Sequence, residues 1–346
     1  MARARRTSLR RFLRFAGYTI VIVVILLAVA ITFTIGWRPI IGPRMRATTN
    51  RTFERTPERL ARGQYIFRSV AVCVDCHSQH DMTKEGTPII EGTEGSGQLF
   101  IIEGPPAKLV APNLTPDPET GLGRWSDDEI ARAIREGVTR EGRAMFPIMP
   151  YNNYHEMSDE DLASVVVYIR SLPPVRHALP ETVVFAPVKY FIRDVPRPIT
   201  APVPAPDSST PVARGAYLAR MAGCNECHTP TKRGMPIPGM DFAGGFVMTG
   251  PWGSVATANI TPDPSGISYY DENLFRDVMR TGMVRARKLN DLMPYNYYKG
   301  MTDEDISAIF AFLKTVEPVS HRVDNTETPT DCKKCGYKHG LGDKNQ

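Results

Sequence analysis

Two short stretches decide how this chain is read: Cys73-Val74-Asp75-Cys76-His77 and Cys224-Asn225-Glu226-Cys227-His228. Each sets two thiols three residues apart and an imidazole directly after the second. Thiols at that spacing reach the two vinyl groups on one porphyrin edge, and the adjacent His then lies under the iron. That is the chemistry of covalent c-type haem attachment. A zinc site would need a second ligand pair near each stretch, and the sequence supplies none there.

Working outward, the two stretches are the centres of one pattern written twice. The first copy runs Arg62-Gly63-Gln64-Tyr65, Cys73–His77, Asn113-Leu114-Thr115-Pro116-Asp117-Pro118, Met149-Pro150-Tyr151-Asn152-Asn153-Tyr154 and Ser158-Asp159-Glu160-Asp161. The second runs Arg214-Gly215-Ala216-Tyr217, Cys224–His228, Asn259-Ile260-Thr261-Pro262-Asp263-Pro264, Met293-Pro294-Tyr295-Asn296-Tyr297-Tyr298 and Thr302-Asp303-Glu304-Asp305. The blocks keep one order, which chance does not produce.

Each copy predicts three helices. The first opens on Thr56-Pro57 or Thr210-Pro211, a cap followed by proline at the first helical position. The second follows the Asn-x-Thr-Pro-Asp-Pro loop and in the first copy starts with the capping box Ser126 and Glu129. The third carries Leu162, Val165, Val166 and Ile169, or Ile306, Ile309, Phe310 and Leu313, at helical spacing behind the caps Ser158 and Thr302. The fold class is therefore mainly α: two small helical domains with long Gly/Pro loops.

The net charge of +5 conceals an asymmetry: residues 1–55 carry eleven Arg and a single acid, Glu54. This excludes a nucleic-acid footprint spread over the domains and reads as a membrane flank. An uncharged run from Phe15 to Trp37 follows the first six Arg and is long enough to span a bilayer as one helix. Ala28-Val29-Ala30 also mimics a signal-peptide cleavage site, but apolar residues continue past it and Trp37 suits an interfacial anchor. Haem is attached outside the cytoplasm in bacteria, so the expectation is a single-pass inner-membrane protein with its domains in the periplasm. The expected organisation is a basic cytoplasmic segment 1–14, a transmembrane anchor 15–37 and a juxtamembrane linker 38–55. Domain 1 follows at 56–172, a Pro-rich linker at 173–211, domain 2 at 212–316 and a tail at 317–346. The linker reads as stiff and extended, although Val183 to Val195 is apolar enough to pack on a domain instead.

For the second axial position each copy repeats two Met. Met157 and Met301 directly precede the helix caps and suit a hydrophobic staple against Leu162 and Ile306. Met149 and Met293 directly precede Pro, which favours extended backbone in a loop and suits a thioether held against iron. His/Met ligation raises the reduction potential and fills both axial positions, as in an electron carrier. His80 and His155 occur in one copy only, and His177 and His321 suit roles at the ends of the copies. Tyr151, Tyr154, Tyr295, Tyr298, Asn113 and Asn259 suit either hydrogen bonds to haem propionates or loop packing. Trp125 has Tyr269 or Tyr270 as its counterpart. In the tail, Cys332 and Cys335 lack a following His; they suit a disulfide in an oxidising compartment, or zinc with His339.

With these motifs the chain resembles the membrane-associated multi-haem cytochrome c family that includes cytochrome subunits of periplasmic alcohol and sugar dehydrogenases. The resemblance rests on the two Cys-x-x-Cys-His motifs, the Asn-x-Thr-Pro-Asp-Pro loops and the Met-Pro-Tyr of Met149 and Met293, and covers roughly residues 56–320. It implies tandem class I cytochrome c folds, two covalent haem c groups, and Cys73, Cys76, His77, Met149, Cys224, Cys227, His228 and Met293 as the haem residues. The implied function is electron relay between a dehydrogenase or quinol-oxidising partner and an acceptor such as a soluble cytochrome c or terminal oxidase. A dihaem peroxidase is the enzymatic alternative; the two matched Met weigh against it.

Overall fold

The computed structural model describes residues 2–84, 86–99, 106–232, 234–250, 253–323, 330–331, 333 and 338–339. The Cys332 and Cys335 pair lies outside these, and of His339 only the backbone is described, paired with Thr330.

Helix α1 (Ala2–Phe33) starts earlier and ends sooner than the expected span 15–37. Its stretch Arg11–Phe33 has mean hydropathy 2.6 and no buried part. At ~1.5 Å per residue, 23 residues cover about 35 Å, enough for a hydrocarbon core of ~30 Å. Trp37 lies beyond the helix and folds back on it, its indole Nε1 donating to Thr32 Oγ1 at 3.1 Å. A short turn, α2 (Arg38–Ile41), follows.

The segment expected as a juxtamembrane linker is instead fixed to the first copy. Arg46 forks onto Asp128 and Glu136, whose side chains are only 1% exposed. The Thr49 amide also donates to Asp128, at 2.7 Å, and the Phe53 amide to Asp127, at 3.0 Å. Two adjacent acidic side chains at a helix start are good acceptors for a cationic, amide-rich chain.

The first copy then builds α3 (Pro57–Tyr65), a π turn at Ile66–Val70, α4 (Cys73–Cys76), α5 (Asp127–Glu136), α6 (Tyr151–Tyr154) and α7 (Asp159–Ser171). The linker contributes α8 (Val188–Phe191). The second copy repeats the order with α9 (Pro211–Met221), α10 (Cys224–His228), α11 (Glu272–Thr281), α12 (Tyr295–Tyr298) and α13 (Asp303–Leu313). The expected caps form: Thr56, Ser126, Ser158, Thr210 and Thr302 each accept from an amide three residues on. The Ser126–Glu129 box closes in both directions.

In both copies the first long helix packs on the last, α3 on α7 and α9 on α13. Gly63 and Gly215 permit it. A Cβ on Gly63 would sit 1.9 Å from the Ser164 carbonyl oxygen, and one on Gly215 1.9 Å from that of Ala308. The Arg-Gly-x-Tyr block is thus first a helix-contact motif. Phe67, Leu162, Val166, Ile306 and Ile309 form the buried centre, and Met157 and Met301 are buried within it as the staple reading expects.

The Pro-rich segment does not run free. Val183–Val184 pairs antiparallel with Ala107–Lys108, α8 packs on α2, and Asp159 and Val203 exchange hydrogen bonds. The packed alternative, not the extended one, describes it.

Candidate functional site

The backbone presents the two Cys-x-x-Cys-His stretches in the same way. The residue before each first Cys is left-handed: Val72 at φ 49° and Gly223 at φ 69°. A β-branched residue there is strained by roughly 1–3 kcal/mol, so the first copy holds this turn against a local cost. One helical turn follows, α4 or α10, which puts two thiols at i and i+3 on one face. The four thiols are free. Cys73, Cys224 and Cys227 are half-buried and Cys76 is exposed. Dense surrounding protein nevertheless pushes the thiols of Cys73, Cys76 and Cys224 up to about 12 and that of Cys227 up to about 11.

Each following His is held by its far nitrogen. His77 Nδ1 meets the Pro112 carbonyl at 2.9 Å, and His228 Nδ1 meets the Ala258 carbonyl at 2.7 Å. A carbonyl only accepts, so Nδ1 carries the proton and Nε2 keeps its lone pair. Burial lowers both imidazoles and so favours the neutral form.

Those carbonyls belong to the residues just before Asn113 and Asn259, which explains the Asn-x-Thr-Pro-Asp-Pro block. Asn113 Oδ1 accepts from the Thr115 amide and hydroxyl while its Nδ2 donates to the Val175 carbonyl at 2.7 Å. Asn259 does the same with Thr261 and the Val319 carbonyl. The block shapes a loop whose preceding carbonyl fixes the His. Of the two readings left open for Asn113 and Asn259, loop organisation is the one described.

The tyrosines resolve in the same direction. Tyr154 donates to the Ala71 carbonyl at 3.0 Å and Tyr298 to the Ala222 carbonyl at 2.6 Å, two residues before each first Cys. Tyr151 reaches the Met145 carbonyl and Tyr295 reaches Asp291. All four brace loops. Tyr270, with its amide on Ile267 as that of Trp125 is on Leu122, is the counterpart of Trp125.

Met149 and Met293 are half-buried against the core. The residue after each makes an inverse γ-turn: Pro150 has φ −80° and ψ 47°, Pro294 φ −79° and ψ 45°. The next amide returns to the Met carbonyl, at 2.8 Å in the first copy and 2.7 Å in the second. The block is thus a turn followed by a short helix rather than a purely extended loop.

The remaining His serve the backbone. His177 and His321 bind the carbonyls of Ser96 and Ala243, and His155 meets that of Arg135. His80 spans the carbonyls of Thr87 and Asp75. Among the described residues, no three His, Cys, Asp or Glu side chains gather to hold a metal ion.

The largest feature missed at the sequence level is the contact between the copies. Tyr65 donates to Asp305 at 2.5 Å and accepts from the Thr302 amide at 3.1 Å. Tyr217 donates to Asp161 at 2.7 Å and accepts from the Ser158 amide at 3.2 Å. Each Asp is also bound by an Arg of its own copy, Arg62 on Asp161 and Arg214 on Asp305. Burial and the bond to Asp305 push Tyr65 up to about 12. A second reciprocal contact involves the acids between the haem-motif thiols. Asp75 faces Tyr297, and Glu226 lies near Asn153, whose side-chain nitrogen closes no hydrogen bond of normal geometry. Burial raises both carboxyls and the facing side chains oppose it. Cys76 lies within electrostatic reach of Cys227. Each Cys-x-x-Cys turn is thus met by the Met-Pro-Tyr segment of the other copy.

The Cytochrome c family model matches residues 60–173 and 212–317, and the chain belongs to that family. It is a haem-binding electron-transport protein with covalently bound haem c, and the thiols and held imidazoles described above suit that group. Within the family it is similar to the cytochrome c subunit of a quinone alcohol dehydrogenase from Gluconacetobacter polyoxogenes, 27% identical over 75% of this chain and 56% of that subunit. It is similar also to the gluconate 2-dehydrogenase cytochrome c subunit of Pantoea cypripedii, 28% identical over 74% of this chain and 59% of that one. A diheme cytochrome c-type protein of Cereibacter sphaeroides is 28% identical over 75% of this chain and 86% of its own length. The chain thus spans little more than half of these two dehydrogenase subunits.

Proposed function

We propose that the chain is a membrane-anchored, periplasm-facing dihaem cytochrome. It relays electrons from a dehydrogenase or quinol-oxidising partner to a downstream acceptor such as a soluble cytochrome c or terminal oxidase. Bound haem c supplies a one-electron iron couple in each half. Cys73 and Cys76 would hold one group by thioethers, with His77 and Met149 as the side chains offered to its iron; Cys224, Cys227, His228 and Met293 would do so in the other half. The domains are 56–172 and 212–316, and α1 is the anchor. The observation that supports this reading is the pair of matched Cys-x-x-Cys-His turns with both imidazoles oriented by carbonyls, joined by the reciprocal Tyr65–Asp305 and Tyr217–Asp161 contacts.

The residues' tasks follow from their surroundings. The carbonyls of Pro112 and Ala258 orient the imidazoles and raise their basicity as ligands. Tyr154 and Tyr298 pin the turn that carries the thiols. The tightly turned Met-Pro backbone limits how far a thioether can move. Matched His/Met sets would suit an electron carrier rather than a haem that binds substrate.

The pyridine haemochrome of the matured protein tests the stoichiometry. Two haems per chain are expected, and a colourless protein or one haem per chain refutes the proposal. Resistance of the protein to carbonate extraction tests the anchor. A mature N-terminus near Ile31 would instead show a cleaved signal peptide.

A further inference from the structure

Just outside the apolar helix, two segments far apart in sequence meet. Helix α2 carries Ile40 and Ile41, 53% and 65% exposed, and packs against α8 and the turn Ile192–Asp194 that follows it. Arg193 Nη1 donates to the Pro39 carbonyl at 2.8 Å, and Arg44 reaches Asp194 at 3.5 Å. Pro39 and Ile192 are buried, whereas Tyr190 and Phe191 are 44% and 51% exposed. Four large apolar side chains thus stand outward on two elements that are otherwise well fastened. Residues 37–44 and 186–197 together hold five cations, Arg38, Arg44, Lys189, Arg193 and Arg197, against the single acid Asp194.

We propose that this unit lies in the headgroup layer of the bilayer crossed by α1, so that the segment between the two haem domains is a second membrane contact. The proposal rests on the anchor reading. α2 begins five residues after α1 ends, which limits its distance from the helix end to about 18 Å even if fully extended. The headgroup layer is roughly 5–8 Å deep on each side. Outward aromatic and aliphatic side chains with flanking cations match that layer and its anionic phosphates. The strand pair Val183–Val184 with Ala107–Lys108 ties the contact to the first haem domain. Two attachment points orient that domain relative to the membrane, where one flexible tether would leave it free to swing.

The full-length holoprotein in phosphatidylethanolamine/phosphatidylglycerol vesicles, with a diazirine-bearing phosphatidylglycerol, tests this. After illumination, lipid adducts are mapped by peptide mass. Adducts are expected on α1 and also on the peptide containing Tyr190 and Phe191, several-fold above those on the peptide of Met235, a methionine of the second copy that is more exposed than either. Phe191→Glu changes an exposed side chain and is expected to reduce the 186–197 adducts several-fold while leaving those on α1. Adducts on α1 with none above the Met235 level at 186–197 would overturn the proposal and leave the anchor standing, with the patch open to a protein subunit. Absence of adducts on α1 would overturn the anchor reading and this proposal with it.

Discussion

Removing one hydroxyl at the contact between the copies should loosen the whole contact, not one corner of it. Tyr65→Phe deletes a bond to Asp305, which is 1% exposed, and strips the Thr302 amide of its acceptor. A hydrogen bond to a charged group contributes about 2 kcal/mol, which corresponds to roughly thirtyfold in the equilibrium between docked and undocked copies. The informative amide is at the opposite end. Ser158 donates to Tyr217, which the substitution does not touch. If the copies dock as one unit, hydrogen exchange at Ser158 in Tyr65→Phe should quicken by that same factor of about thirty. Tyr217→Phe should do the same at Thr302. Exchange mass spectrometry on the full-length holoprotein measures both, and exchange at amides within α7, away from the contact, serves as the control. Faster exchange confined to the altered corner would refute docking as a unit. It would also remove the reason for expecting the two attachment turns to keep a fixed separation.

Three further outcomes follow from the packing. Gly63→Ala or Gly215→Ala forces a methyl onto a backbone carbonyl and should lower stability by about 3 kcal/mol, read from the urea midpoint. An unchanged midpoint would show that the helices separate freely. Met149→Ala and Met293→Ala should each turn one haem to a high-spin or alternatively ligated form. Met157→Ala, in the core, should leave the spectrum alone and cost about 3 kcal/mol of stability; the reverse pattern would exchange the roles of the two methionines. Burial pushes the Asp128 carboxyl up, but Arg46, the Thr49 amide and Arg51 outweigh it and hold it down at about 2. A depressed carboxylate stabilises fully above its ordinary value and loses that contribution as pH falls through the folded one. The fastening of residues 46–53 should therefore weaken only between about pH 4 and pH 2, by roughly 2–3 kcal/mol. At neutral pH, Asp128→Asn should speed tryptic cleavage at Arg46 and Arg51, and equal cleavage rates in the two proteins would contradict this account.

The parts of the fold legible in the sequence are those fixed by short-range chemistry. Thr56-Pro57, Ser126 with Glu129, and Ser158 and Thr302 start helices because a side-chain oxygen meets an amide three residues on, which needs no knowledge of the rest of the chain. The apolar spacing of Leu162 to Ile169 marks a core face in the same way. Long-range partners were not legible. Arg46 looked like part of a loose tether because its acceptors Asp128 and Glu136 lie more than 80 residues away. Asn113 read equally as a propionate hydrogen bond or as loop packing, because the role of its block, holding a carbonyl against His77, appears only once the loop is folded. The short helix after Met149 was hidden by Pro150, whose inverse γ-turn bends a stretch that would otherwise read as extended.

The Arg-Gly-x-Tyr block shows how such a signal becomes readable. Within one copy, Arg62 and Gly63 have partners at Asp161 and Ser164, and Arg62 also lies over the Tyr65 ring, but among the described residues the Tyr65 hydroxyl finds its bonds in the other copy. Its partner is Asp305, the second copy's counterpart of Asp161. A residue of one repeat that bonds the equivalent of its own neighbour's partner in the other repeat, with the relation returned by Tyr217 and Asp161, is the geometry of a two-fold, self-complementary interface drawn inside a single chain. Such an interface demands that both members of each pair recur in both copies, and they do. The contact at Asp75 and Glu226 obeys the rule less strictly, since Tyr297 faces one acid and Asn153 the other. The clamps of Tyr65 and Tyr217 therefore carry the docking, and the residues between the thiols are where the two halves are free to differ.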